Sequence, residues 1–385
     1  SVIEITDDTD IPRIDYTSGQ GALLLEPQRT NYVFPSNSFS SWSVSGGSVS
    51  ITPNYGISPD GTQNSSRTDF SNGAVIYTIP NRPQGAYVFS VFAKNIEGGG
   101  SVIELRVDVP ASFTTRFDLS NGTIVSSDND DAKIEYYGNG WYRCIIIQNN
   151  DSVINAVIGE GTTELDCELF GGMLEEGSYA TSYIPTEGST VTRAADVAIN
   201  SGNADLFNDS EGVLYAEFSD FSNNVGALRF INIADVSNVF HNRISLGFRQ
   251  DNRILFEVKN NNNTEMVYFD NTTNVLQFNK MCIKYKNNDC SVFINGVKVH
   301  EDNSATIPSN LNTLIMAGFT NGTYAFQGNL KSVAVFKEAL TDEELAQITS
   351  ATQQEVFYQM RDRMNIKNYD YYEFGDYTTR LKKLF

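Results

Sequence analysis

Gly171-Gly-Met-Leu-Glu-Glu-Gly-Ser-Tyr-Ala-Thr-Ser-Tyr-Ile-Pro-Thr186, followed by Thr190-Val-Thr-Arg-Ala-Ala-Asp196, decides how this chain divides. Met173 and Leu174 end an apolar run that reads as a strand, and Glu175-Glu176-Gly177-Ser178 reads as a turn. Tyr179 to Ile184 reads as a short half-buried strand that Pro185 stops, because proline has no N–H to give to a ladder. The stretch closes one β-domain and leads into another.

Working outward, 385 residues suffice for two or more domains, each with its own core. With 29 glycines, 19 tyrosines and 24 phenylalanines, and turn clusters recurring along the chain, the composition predicts many short strands and a mostly β fold. A net charge of −20 argues against a nucleic-acid partner, since phosphate binding needs clustered Lys and Arg. No run of 18 apolar residues is present, so no membrane insertion is expected. The chain opens directly on the strand-like alternation Val2-Ile3-Glu4-Ile5, which reads as the continuation of a longer polypeptide.

Five regions follow. Residues 1–30 are a strand-bearing lead-in, and 31–190 a first sandwich with strands near Ala74 to Ile79, Ala86 to Ala93, Ser101 to Val107, Trp141 to Gln148 and Val153 to Ile158. Residues 191–205 are a linker, and 206–350 a second sandwich opening with Gly212 to Phe218 and ending with Gly328 to Phe336. Thr341 and Glu344 have capping-box spacing, so a helix is expected to start there. In the tail, 351–385, apolar residues at helical spacing extend that helix to about Met364, and Tyr369, Tyr371, Tyr372, Phe374, Tyr377 and Phe385 then crowd together. Such rings must pack, either on the chain's own second sandwich or on another subunit.

The second sandwich allows a register to be written. Asn287-Asn288 is a two-residue turn that pairs Tyr285 with Cys290, Ile283 with Val292 and Met281 with Ile294 on one apolar face. Cys282 then points to the opposite face from Cys290, so the two do not bond. A second turn at Asn295-Gly296 pairs Ile294 with Val297 and Val292 with Val299. None of Cys144, Cys167, Cys282 and Cys290 has CxxC spacing, and buried free thiols are expected.

Ile11-Pro-Arg-Ile-Asp-Tyr16, Gly21-Ala-Leu-Leu-Leu-Glu-Pro-Gln-Arg-Thr-Asn31, Gly140-Trp-Tyr-Arg143 and the Gly171 to Thr186 stretch resemble, in the same order, bacteriophage tail-fibre and other virion appendage proteins. There they mark a carbohydrate-binding-module-like jelly roll followed by a laminin G-like, concanavalin-A-type sandwich. Phe293-Ile-Asn-Gly296 in a meander, a late strand at Val333 to Phe336 and the capped helix resemble the laminin G-like family in particular. The resemblance implies two tandem antiparallel β-sandwiches (jelly rolls) with a short C-terminal helix and an aromatic tail. It further implies a non-enzymatic protein on the virion surface that attaches to glycans of the bacterial surface and contacts other virion proteins. A homo-oligomer, a trimer as in fibres, goes with it.

One stretch supports a rival chemistry. Glu164-Leu-Asp-Cys-Glu168 resembles the Glu-x-Asp-x-Glu active-site strand of laminarinase and lichenase glycosidases, with Glu164 as nucleophile, Asp166 tuning and Glu168 as acid/base. On a strand the three carboxylates share a face, and about 13 Å between the outer Cα atoms can narrow to the ~5.5 Å a retaining glycosidase needs. The flanking tryptophan-lined cleft of that family has no counterpart here, and alternating acidic and apolar residues also describe any half-exposed strand. His241 and His300 have no nucleophile elbow beside them, and His300 falls on the outward parity of its strand.

Sugars are held by aromatic faces and a few polar groups. Trp42 and Tyr55 lie in polar loop-like sequence and are candidate ligand-binding rings. Trp141 reads as a core anchor, with Tyr142 or Arg143 outward as ligand-binding residues. Asn260 to Asn263, Asn321-Gly322 and Tyr324 are candidates for a polar rim. No cofactor is assigned, and the metal ligands are left open; Asp128-Asn-Asp-Asp131 reads as a solvated turn, although the resemblance raises the expectation of a single Ca2+. Three functions therefore stand: glycan adhesion, a purely structural virion spacer, and a glycan hydrolase using Glu164 and Glu168.

Overall fold

In the computed structural model, residues 12–80, 82–109, 111–128, 131–150, 154–160, 164–198, 204–222, 228–251, 253–316, 324–350 and 370–373 are described. The alternation at Val2 to Ile5, the extension of the helix to Met364, Asn321-Gly322 and most of the aromatic tail lie outside them. The chain forms two compact units, one of Gln28–Ala194 and one of Ser1–Pro27 with Ala195–Phe385.

In Gln28–Ala194, ten strands pair into one antiparallel sheet that folds over on itself. The fold line is the long strand Ser66–Ile79, whose first half pairs with Leu165–Leu169 and whose second half pairs with Ile154–Gly159. Asn72, with φ 56°, and Gly73 lie between the halves. One layer continues through Leu165–Glu176, Gly85–Asn95, Trp141–Asn150 and Lys133–Tyr136. The other continues through Ile154–Glu160, Val102–Val109, Ala111–Asp118 and Thr123–Ser127. Phe70, Phe89, Val91, Leu105, Phe117, Cys144, Ile158 and Leu169 meet between the layers. All five strands expected here are present.

The deciding stretch differs in one part. Leu165–Glu176 is a single strand that runs through two residues of the expected turn, and Tyr179 to Ile184 has no strand pairing. Side chains hold it instead. The Glu175 carboxylate accepts the Thr181 N–H and Oγ1–H at 2.8 and 2.6 Å, and Asn31 Nδ2 donates to the Ile184 carbonyl at 2.8 Å. Buried backbone groups need partners, not strands, so capture by side chains satisfies the segment without a ladder. Gly171 breaks the register of the strand between Phe170 and Met173. Its φ is +63°, and a Cβ there would come within 3.0 Å of Phe92 and 3.1 Å of Tyr183, so only glycine fits.

The other unit is a two-sheet antiparallel sandwich. Its larger sheet runs Ile14–Asp15, Ala22–Leu25, Gly328–Phe336, Glu211–Ser219, Asn279–Lys286, Cys290–Ile294 and Val297–Asp302, with Asp370–Glu373 also paired to Gly328–Phe336. The smaller runs Asn263–Asp270, Ile254–Asn260, Arg243–Phe248, Arg229–Ala234 and Thr313–Ile315. The lead-in thus supplies two strands to this sandwich: Ile14–Asp15 pairs with Ala22–Leu25, and Leu25 pairs with Gly328, 303 residues further along the chain. Arg13 bridges Glu26 and Asp196 and ties the lead-in to the start of the second segment of the unit.

Helix Asp342–Ser350 has the expected capping box: Glu344 N–H donates to Thr341 Oγ1 at 3.3 Å and Thr341 N–H donates to Glu344 at 2.9 Å. It buries Leu345 and Ile348 against Val213, Tyr215, Cys282 and Phe293 on the outer face of the larger sheet. Met281 pairs with Ile294 and Ile283 with Val292, as expected, and Cys282 and Cys290 occupy different clusters. The next strand departs from expectation. A bulge between Val292 and Phe293 makes Val292 face His300, not Val299. The extra residue, Val299, changes the parity, so His300 is half-buried and stacks on Tyr268 at 5.0 Å.

Candidate functional site

A polar cleft opens in the unit containing Ala195–Phe385. Three pieces of chain converge on it: the 3-10 turn Ala204–Leu206 with Phe207 to Asp209, the segment Asn310 to Asn312, and Lys337 just after Gly328–Phe336. Side chains fix these pieces to one another. Asn208 Nδ2 donates to the Lys337 carbonyl at 2.7 Å, and its Oδ1 accepts from Ser210 N–H at 3.0 Å. The Asp209 carboxylate accepts the N–H groups of Asn310 and Leu311, both at 2.7 Å. Asn312 Oδ1 accepts the Val236 N–H at 2.9 Å. Asn310 takes φ 64°, which asparagine tolerates.

The result is a cleft of about 450 Å³ with Phe207 and Leu311 as apolar floor and amides, a carboxylate and an ammonium around it. Amides both donate and accept, as sugar hydroxyls do. Asn-Asp at 208–209 and Asn-Leu-Asn at 310–312 are ordinary turn sequences when read along the chain, about 100 residues apart. Nothing local in the sequence says that they meet.

The expected ligand-binding residues of Gln28–Ala194 scatter. Trp42 is not an exposed ring: it is 5% exposed and packs in the core against Phe39, Tyr77 and Phe89. The polar sequence around it forms a 3-10 turn, Phe39–Ser41, that turns the indole inward. Tyr142 points to the core side, where it packs half-buried. Arg143 is on the outer parity of its strand yet only 3% exposed, under the guanidinium–Phe92 contact at 5.4 Å and with Nη2 on Ser90 Oγ at 3.0 Å. Trp141 shares that parity, so it is buried outside the main core, in a cluster with Phe92, Phe170 and Tyr183, and donates to the Ile57 carbonyl at 3.1 Å. The loops that follow Ser43–Thr52 and Leu165–Glu176 therefore cover this sheet face. Tyr55 is exposed, with Arg67 5.5 Å from its ring.

Glu164, Asp166 and Glu168 do share a side, but each carboxylate is engaged separately. Glu164 lies exposed before the strand, with Ser71 Oγ at 3.3 Å. Asp166 takes Arg67 through Nε at 3.0 Å and Nη2 at 2.5 Å. Glu168 is 4% exposed and accepts from Ser65 Oγ at 2.6 Å and Lys94 Nζ at 3.1 Å. Gly56 packs so closely over Glu168 Oε2 that a Cβ there would clash.

The expected polar rim also separates. Asn261 and Asn262, with φ 49° and 69°, make the hairpin turn between Ile254–Asn260 and Asn263–Asp270. Tyr324 is exposed and takes φ 62°, unusual for a bulky residue, with its carbonyl accepting the Phe230 N–H at 3.2 Å. Asp128 accepts the Thr114 N–H at 3.2 Å, while residues 129–130 lie outside the described residues. Among the described residues no group of three His, Cys, Asp or Glu is placed to hold a metal ion.

Solved structures similar to the chain include the CBM40 of Ruminococcus gnavus IT-sialidase, with TM-score 0.33 and 16% identity over 40% of this chain and 96% of that one. The same module bound to alpha2,3 sialyllactose gives TM-score 0.33, 16% identity, and 40% and 95% coverage. Domains LG4-5 of the mouse laminin alpha1 chain give TM-score 0.25 and 10% identity over 70% of this chain and 89% of that one. No curated protein matches the sequence. Residues 222–346, within the sandwich that carries the cleft, match the laminin G model of the concanavalin A-like lectin/glucanases superfamily.

Proposed function

We propose that this chain is a non-enzymatic adhesin of a bacteriophage virion, displayed on the virion surface, that holds glycans of the bacterial surface in the cleft at Asn208, Asp209, Asn310, Asn312 and Lys337. The cleft carries the reading. Its volume of about 450 Å³ lies in the range of ligand-holding clefts, and an apolar floor ringed by amides suits a sugar ring edged with hydroxyls. The lectin/glucanase model matched by residues 222–346 supports the same ligand class. The binding role in place of hydrolysis is supported by the separate engagement of the Glu164, Asp166 and Glu168 carboxylates and by the loop seated on Glu168. The virion setting, the contacts with other virion proteins and the homo-oligomeric state follow from the sequence resemblance. A bacterial glycan array tests the ligand, using the native chain beside Asn310→Gly, which keeps the positive φ, and Lys337→Ala. Binding by the native chain that falls at least tenfold in both variants is expected, and binding unchanged in both, or none by the native chain, defeats the reading.

A further inference from the structure

Strands Lys133–Tyr136 and Trp141–Asn150 are joined by a tight turn. The Trp141 N–H closes it on the Gly138 carbonyl at 2.9 Å, which leaves Asn139 and Gly140 as the central pair. Both take positive φ, 51° and 80°, as a type I′ turn requires. Nothing ties down the peptide between them. Among the described residues neither the Asn139 carbonyl nor the Gly140 N–H has a hydrogen-bond partner, and the exposed Asn139 side-chain amide has none either.

An asparagine followed by glycine carries a latent reaction, attack of the glycine nitrogen on the side-chain amide carbon. Hydrogen bonds to either group hold it back, and the other described Asn-Gly pairs are held. Asn121 donates to Asp118 at 3.0 Å and accepts from Thr123 at 2.6 Å, while the Gly122 N–H is bonded to the Asp118 carbonyl at 2.9 Å. Asn295 accepts the Lys280 N–H at 3.0 Å and donates to Asn279 at 2.8 Å, while the Gly296 N–H donates to Thr349 Oγ1 at 3.0 Å. Asn72-Gly73 lies within strand Ser66–Ile79, where Gly73 is buried opposite Gly46. Asn139-Gly140 differs from all three in leaving both reacting groups unbonded in an exposed turn. Glycine also accepts either sign of φ, so the unbonded peptide is free to flip to the type II′ arrangement, which keeps the positive φ of Asn139 and swings the Gly140 nitrogen around it.

We propose that Asn139 is a self-modifying residue, converted without an enzyme to isoaspartate and aspartate. The Gly140 nitrogen loses its proton to base and attacks Asn139 Cγ. The new C–N bond closes a cyclic succinimide as the Cγ–Nδ2 bond breaks and ammonia leaves. Water then opens either carbonyl of the ring: one opening yields aspartate, and the other reroutes the main chain through Cβ and yields isoaspartate. In net terms an amide and water become a carboxylate and ammonium. The isoaspartate adds a main-chain atom to the turn that sets the Tyr136–Tyr142 pairing, directly ahead of Trp141. It also adds a negative charge. A Cβ at Gly140 would lie 3.7 Å from the Lys94 stem, and Lys94 Nζ holds Glu168 at 3.1 Å, so the new carboxylate forms close to an existing ion pair.

Peptide mapping of the native chain after incubation at mildly alkaline pH tests the proposal, with mass spectrometry for the amide-to-acid change and isoaspartate methyltransferase labelling to tell the two products apart. Asn139 is expected to convert at least about tenfold faster than Asn121 and Asn295, which react only after local opening of the fold. Its rate should rise with pH, because the attacking nitrogen must lose a proton. In urea the three sites should convert at similar rates. Conversion at Asn139 no faster than at Asn121 and Asn295 in the native chain overturns the proposal, and so does the same order of rates persisting in urea, which would trace the difference to neighbouring side chains and not to the turn. No residue of the glycan cleft takes part, so either result leaves the glycan-array outcome untouched.

Discussion

Asn31 donates through Nδ2 to the carbonyl of Ile184, 153 residues further along the chain, at 2.8 Å. The same amide donates to the Gly172 carbonyl at 3.2 Å and accepts the N–H groups of Val33 at 3.0 Å and Leu174 at 3.2 Å. It is completely buried, so one side chain ties the entry of the first sandwich to the strandless segment that leaves it. Asn31→Ala strands four buried backbone groups and is expected to lower stability by about 3 kcal/mol. Urea unfolding with an unchanged midpoint would refute the clamp.

Glu168 should behave as a structural carboxylate. The purified protein is expected to cleave no β-glucan, and Glu168→Gln to lose stability by about 1 to 3 kcal/mol, because Lys94 and Ser65 lose their charged acceptor. Turnover of a β-glucan that disappears in Glu168→Gln would reverse the assignment.

Glu175 gives a pH signature. Burial pushes its carboxyl above the ordinary glutamate value of 4.5, outweighing the Thr181 hydrogen bonds and the attraction of Arg143 and Arg29, whose Nε stands 3.4 Å away. A folded state that holds a proton more tightly than the unfolded chain is favoured at low pH. This group's contribution is therefore fully present below 4.5 and lost as pH rises from there through the raised value. Glu175→Gln, close in shape, should flatten that part of the stability profile. Urea midpoints from about pH 4 to pH 8 measure it, and parallel profiles for the two proteins would count against the shift.

The four thiols should stay reduced and unreactive. Burial raises Cys144, Cys167 and Cys282, and raises Cys290 to about 11, so few thiolates form near neutral pH. Iodoacetamide is expected to label none in the native protein and all four in urea. A Cys282–Cys290 disulfide in the non-reduced protein would contradict the register as well as the redox state.

Features under local chemical control were legible along the chain. Alternation placed the strands, the pairing of Met281 with Ile294 followed from the spacing of a hairpin turn, and Thr341 with Glu344 marked the helix start through their own backbone contacts. Which faces stay open depended on long-range packing. Alternation left Tyr142 or Arg143 as the outward residue; Arg143 took the outer parity, but a loop and a side-chain-held segment closed over that face, and the polar run around Trp42 folded its ring into the core. The bulge that inserts Val299 opposite the Val292–Phe293 step turned His300 around, since one extra residue reverses every side chain beyond it. The lead-in joined the far sandwich and the cleft drew together Asp209 and Asn310, because pairings across hundreds of residues are set by the packing of whole sheets, and no local pattern encodes them.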